Sequence, residues 1–112
     1  MNRFGVVYTT IVSGGSLSPA VAIGNIQAAG LIIPTITSAF LYLHGGFSTN
    51  SADAKRVMTS DFLGSANPAQ LALAAGAKAV DITQQARGFP FIRIETSAAQ
   101  TDTRTFAITY KD

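Results

Sequence analysis

The sequence predicts an all-β fold, an antiparallel β-sandwich of jelly-roll or Greek-key type. Three observations lead there. Turn chemistry recurs at short intervals, at Ser13-Gly14-Gly15-Ser16, Gly24-Asn25, Gly45-Gly46, Gly64-Ser65, Asn67-Pro68, Gly76 and Gly88. The apolar runs between these turns are short and rich in β-branched and aromatic residues. Two segments near the C-terminus alternate strictly between apolar and polar residues, the period of a half-buried strand.

Taken in order, Phe4 to Val12 reads as a strand and Ser13 to Ser18 as a turn. Leu17 to Ile23 alternates with period two. Pro19, which has no amide proton to donate, makes that strand start late or sit at an edge. Gly30 to Ile33 is a short apolar strand stopped by Pro34. Ala39 to His44 is a central strand ending at Gly45-Gly46. Phe47 to Ala54 is a polar loop, Lys55 to Thr59 a short solvent-facing strand and Asp61 to Gly64 a turn.

Pro68 to Val80 admits two readings. Asn67 as cap, Pro68 at the first position and an Ala/Leu run describe a short helix near residues 68–75, closed by Gly76. Such a helix is barely two turns, which is marginal in isolation. The competing reading places strands at Gln70 to Leu73 and Ala79 to Ile82, and the surrounding pattern favours it. Phe89 to Thr96 sets Phe91, Arg93 and Glu95 on one face and Ile92 and Ile94 on the other. Arg104 to Lys111 sets Phe106, Ile108 and Tyr110 against Thr105, Ala107, Thr109 and Lys111. With Ser97 to Thr103 as connector, these two segments read as an antiparallel pair with one face in the core.

Composition narrows the function. The 112 residues suit one domain, 1–112, with a modest core. Hydrophobic residues make up 47% and charged residues 12%, against a usual charged share of about 25%. So few charges point to an assembled protein with part of its surface covered. The net charge is +2, and the eight Lys and Arg are scattered, so no basic stripe for nucleic acid is present. The absence of cysteine excludes disulfides, zinc–thiolate sites and Cys nucleophiles. No charged residue occurs from Phe4 to Ala52. The best apolar window, Ala28 to Leu43, is interrupted by Pro34, Thr35, Thr37 and Ser38 and falls short of the roughly 20 residues a spanning helix needs. Buried strands account for it better than a membrane segment.

No catalytic, cofactor or metal constellation stands out. His44 is the only histidine, and no nucleophile elbow surrounds a serine. The six acidic residues are scattered and fit no calcium loop. Arg93 and Arg104 sit within otherwise sparsely charged strands. They serve either to fix register through Glu95 or Asp102, or to contact a neighbouring subunit. Phe47, Phe62 and Phe89 lie at turns, as end caps of the sandwich or as interface anchors. Met1, Asn2 and Arg3 form a polar tip expected to touch other chains. The interface candidates are therefore Met1, Asn2, Arg3, Phe47, Phe62, Phe89, Arg93 and Arg104.

The stretch Phe91-Ile92-Arg93-Ile94-Glu95-Thr96-Ser97-Ala98-Ala99-Gln100-Thr101-Asp102-Thr103-Arg104-Thr105-Phe106 resembles a pattern in small structural proteins of tailed bacteriophages. There an aromatic-Ile-Arg-Ile/Leu strand leads through a Ser-x-x-Gln loop to Asp-x-Arg-Thr-Phe/Ile. The layout of Ser13 to Leu41 is similar as well. A Ser-x-Asp-Gly-Gly turn of that pattern is replaced here by His44-Gly45-Gly46-Phe47-Ser48, so any role of its Asp is not carried over. The resemblance implies a β-sandwich virion component without catalytic residues. A capsid decoration (cement) protein is foremost, bound to the major capsid protein and homo-oligomeric, with a trimer favoured. The alternative is a carbohydrate- or receptor-binding module of a tail or fibre. The absence of Trp, and the placing of Tyr8, Tyr42 and Tyr110 in expected strands, weigh against that alternative.

Overall fold

The computed structural model describes residues 4–37, 39–48, 50, 53–56, 58–60, 66–68, 70–73 and 77–111. Its elements are β1 (Phe4–Ile11), β2 (Val21–Ala22), β3 (Ala28–Ile33), β4 (Ala39–Gly46), β5 (Lys55–Arg56), β6 (Met58–Ser60), β7 (Ala66–Pro68), β8 (Gln70–Leu73), β9 (Lys78–Asp81), α1 (Thr83–Ala86), β10 (Phe91–Thr96) and β11 (Arg104–Lys111). All ladders are antiparallel. One sheet runs β1-β11-β3-β9. The other runs β2-β10-β4, and β4's far side is shared by β8, along Ala39–Tyr42, and β5, at His44–Gly45. β6 and β7 form a separate small hairpin.

Leaving out β5 and the β6–β7 hairpin, eight strands remain. The chain visits the two sheets alternately as β1, β2, β3 and β4, stays for β8, then alternates through β9, β10 and β11. That order, with the last strand inserted between the first and third, is a jelly roll. Such winding leaves each strand one face toward the opposite sheet, which explains the alternation along the chain. Ile11, Leu31, Ile33, Phe106 and Ile108 from the first sheet meet Leu41, Leu43, Ile92 and Ile94 from the second in one buried cluster. Ile36, Ile82 and Ala86 close it from the connections.

Two expectations need correction, and one choice left open by the sequence is resolved. The segments around Phe91–Thr96 and Arg104–Lys111 do not pair with each other. β10 lies between β2 and β4, while β11 lies between β1 and β3 in the opposite sheet. Each segment has the burial alternation expected of it, but period-two alternation is the same whether two strands are neighbours or face each other across a core. Of the two readings of residues 68–75, the described residues take the favoured one, a strand: Gln70–Leu73 is β8 and pairs with β4, so the helix is not formed there. The short helix of the fold is Thr83–Ala86 instead. Asp81 shapes its entry, accepting hydrogen bonds from the Thr83 amide (2.9 Å) and hydroxyl (2.6 Å) on Oδ1. Finally, Leu17 to Ile23 is not a continuous strand: Leu17 makes an isolated bridge to Glu95, and only Val21–Ala22 joins β10. β2 starts late, beyond Pro19, and is an edge strand, the two outcomes expected of a proline there.

Two polar side chains buried at the connections hold the end of the sandwich together. Gln100 is 1% exposed. Its Oε1 accepts from the Thr37 amide at 2.8 Å, and its Nε2 donates to the Ala98 and Thr37 carbonyls at 3.1 and 3.4 Å. Its backbone exchanges bonds with Gly14 and Gly15. The buried Ser18 hydroxyl accepts from the Ile94 amide at 2.9 Å, filling a ladder position on β10. Buried polar atoms without such partners would each cost about 1–3 kcal/mol.

Candidate functional site

The two outer faces of the sandwich differ in chemistry. On the sheet containing β1, the register sets the outward residues in rows. Phe4, Lys111 and Ala28 form one row; Val6, Thr109, Gly30 and Asp81 the next; Tyr8, Ala107, Ile32 and Ala79 the third; Thr10 and Thr105 the last. Among the described residues this face carries one cation, Lys111, and one anion, Asp81. Phe4 is 81% exposed, Tyr8 66%, Val6 50% and Ile32 49%. Gly30 carries no side chain between Thr109 and Asp81, and a groove of about 300 Å³ opens beside it, lined by Phe4, Val6, Ala28 and Lys111. The Lys111 ammonium lies 5.7 Å from the Phe4 ring centre, a cation–π contact. Contiguous exposed apolar surface of this kind is characteristic of a binding face. Tyr8, placed in a strand by the sequence, is thus on the open side of that strand.

β1 is also an edge strand with eight residues, no charge, no proline and an unbroken register against β11. Charge, proline and a bulge, three of the usual devices that keep an edge from pairing, are absent from this strand.

The outer face of the other sheet is polar at its centre. Arg93 stands opposite His44, and Glu95 opposite Tyr42. His44 Nε2 and Glu95 Oε1 are 2.9 Å apart, with side chains 13% and 19% exposed. The other ring nitrogen, Nδ1, is buried and has no hydrogen-bond partner, so no hydroxyl is set against it in the manner of a nucleophile and its base. Arg93 Nε donates to the Ser18 carbonyl at 2.8 Å. The pattern is that of a half-buried polar row binding β10 to β4 and to the Ser16–Ser18 segment.

The interface candidates from the sequence are therefore scattered. Met1, Asn2, Arg3 and Phe62 lie outside the described residues. Phe47 is 73% exposed immediately beyond β4. Phe89 is half-buried against the core, and its ring occupies the space a Cβ at Gly45 would need, as an end cap does. Arg93 and Arg104 do not share a sheet. Arg104 is inward-facing at the start of β11, 4.0 Å from Asp102 and with its Nε buried and unpartnered. The outward rows of β1, β11, β3 and β9 were not picked out by the sequence reading. Their signal was present in the alternation Phe4, Val6, Tyr8, but either parity of that strand could have faced the core.

Asp81 is exposed at the end of β9, and the two Thr83 hydrogen bonds hold its carboxyl below the ordinary carboxylate range. Among the described residues, no three His, Cys, Asp or Glu side chains gather as a metal site, and no helix is long and apolar enough to cross a membrane.

No protein-family model matches the chain, and no curated protein matches its sequence. A solved structure does share its fold. The SPBc2 prophage-derived protein YomS superposes with a TM-score of 0.59, covering 100% of this chain and 96% of that one at 10% sequence identity.

Proposed function

We propose that this chain is a non-enzymatic structural protein of a bacteriophage particle, acting as a capsid decoration (cement) protein. The observation that carries this reading is the end-to-end match of its jelly roll to a prophage-derived protein of nearly the same length. The resemblance of Phe91–Phe106 to tailed-phage structural proteins supports it from the sequence side. Fold alone does not assign a role, so the surface carries the rest. The molecule is poor in charge and offers an open apolar sheet face and a protruding aromatic, Phe47. Those are the properties of a protein that holds neighbours together by buried area.

The mechanism is additive interface. Each copy bridges adjacent major capsid subunits and resists their separation by the surface it covers, on the order of 1,600 Å² for a typical specific contact. Phe47 serves as an anchor at the loop end, together with the polar tip from Met1 to Arg3. No chemical step is required.

Gold labelling and quantitative mass spectrometry of purified particles test this. Many copies distributed over the head are expected. Label confined to the tail would overturn the decoration role and favour the receptor- or carbohydrate-binding alternative. Phe47→Ala is expected to weaken binding to stripped heads by tenfold or more, the scale of a buried aromatic anchor, with the melting temperature unchanged.

A further inference from the structure

The open face of the β1-β11-β3-β9 sheet is complementary to itself. Its cation and its anion are displaced from each other by two strands and one outward step, from Lys111 on β11 to Asp81 on β9. Val6 on β1 and Ile32 on β3 are displaced by the same two strands and one step, in the same sense. With strands about 4.8 Å apart and about 6.8 Å between successive outward residues, both displacements are about 10 Å across and about 7 Å along. On that grid the two pairs have a common perpendicular bisector. A two-fold axis lying along it, in the plane of the face, sets Lys111 on the second copy's Asp81 and Asp81 on the second copy's Lys111. The same operation lays Val6 on the second copy's Ile32 and Ile32 on its Val6. Tyr8 falls within about 2 Å of the axis on this grid, so it meets its own equivalent.

We infer that this face is the contact between two copies of the chain, packed sheet against sheet about that two-fold axis, with the Lys111–Asp81 pair made twice. The sheets then cross at about 70°, near the orthogonal class of sheet packing. The contact is isologous and closes at two, as a two-fold interface must. It is an alternative to the trimer that the phage resemblance implies. The footprint of four strands by about seven residues is about 450 Å² a copy before the relief of Phe4 and Tyr8 is counted, which puts the dimer at the small end of specific interfaces. Every other outward position in the rows is uncharged, so no like charges are brought together. Asp81 is exposed, and the Thr83 hydrogen bonds favour its ionised form, so the carboxylate is available to pair. The inference concerns how copies meet and does not depend on the virion reading: a dimer absent from particles, or a decoration protein that is monomeric, separates the two.

Sedimentation velocity of the full chain across micromolar to millimolar concentration tests it. A concentration-dependent dimer is expected. Val6→Lys, Lys111→Asp and Asp81→Lys each alter an outward position on the face, and circular dichroism checks that each variant keeps its fold. Each is expected to weaken dimerisation by tenfold or more. The double variant Lys111→Asp with Asp81→Lys restores the charge pairs and is expected to recover most of the loss. A monomer throughout, a trimer, or a dimer indifferent to Val6→Lys would overturn the inference. So would single charge reversals that the double reversal fails to rescue.

Discussion

Gln100 shows how one side chain organises a loop. The Ser97-x-x-Gln100 motif carries no apolar pattern, yet Gln100 is as buried as the core isoleucines. Its amide satisfies the Thr37 N–H and two carbonyls, linking the β10–β11 connection to the β3–β4 connection. Gln100→Ala leaves those groups unpaired and opens a void. It is expected to cost about 1–3 kcal/mol, read as a lower urea midpoint at unchanged slope. Gln100→Glu should be worse, since a carboxylate cannot donate to the Thr37 and Ala98 carbonyls and pays for burial of charge. The motif itself was visible in the sequence. Its purpose was not, because a buried polar residue in a loop is recognised only once a distant partner, here Thr37, is in place.

Strands β4 and β10 illustrate the element scale. β4 is central, with Leu41 and Leu43 buried, and its inward alternation ends on Gly45. A Cβ at Gly45 would lie 2.3 Å from the Phe89 ring, closer than any real contact. The aromatic thus takes the place of the missing side chain and seals the sheet beside Ile92. Gly45→Ala forces Phe89 out of that position and is expected to cost about 1–3 kcal/mol, the usual penalty of overpacking. Thermal unfolding measures it, and pairing the change with Phe89→Ala should recover part of the overpacking penalty. The Gly45-Gly46 pair read in sequence as a turn signal ending a strand. In the structure both glycines are still in β4, and Gly45 is required by close approach. β1 shows the same arrangement, with Tyr110 lying over its cross-strand neighbour Gly5.

At the scale of the whole molecule, the winding controls both folding and surface. The first long strand pairs with the last, and β3 pairs with both β9 and β11. Few of the neighbours in the jelly roll are neighbours in sequence, so loop-closure entropy is spent before the sheets are rewarded. Refolding from urea is expected on the millisecond-to-second scale of sandwich proteins. Both sheets share one core, so unfolding should be a single transition by fluorescence and circular dichroism alike. Separate transitions by the two probes would contradict one cooperative unit. The same winding exposes β1 and its outward rows, and so creates the face on which two copies are proposed to meet.

The sequence by itself determined where most of the strands lie and, for the two C-terminal ones, which face is apolar. Phe4–Ile11, Ala39–Gly46 as far as His44, Phe91–Thr96 and Arg104–Lys111 were legible, and Gln70–Leu73 was the favoured of two readings, because a strand's period and its β-branched content are local properties. Only the tertiary structure decided which strands are neighbours. β10 and β11 read as a hairpin and are instead on opposite sheets, because the residues that separate a pair from a sandwich are the partners, not the strands themselves. The open apolar face stayed hidden for the same reason. Phe4, Val6 and Tyr8 become a surface only when Lys111, Ile32 and Asp81 are placed beside them by pairings that span most of the chain.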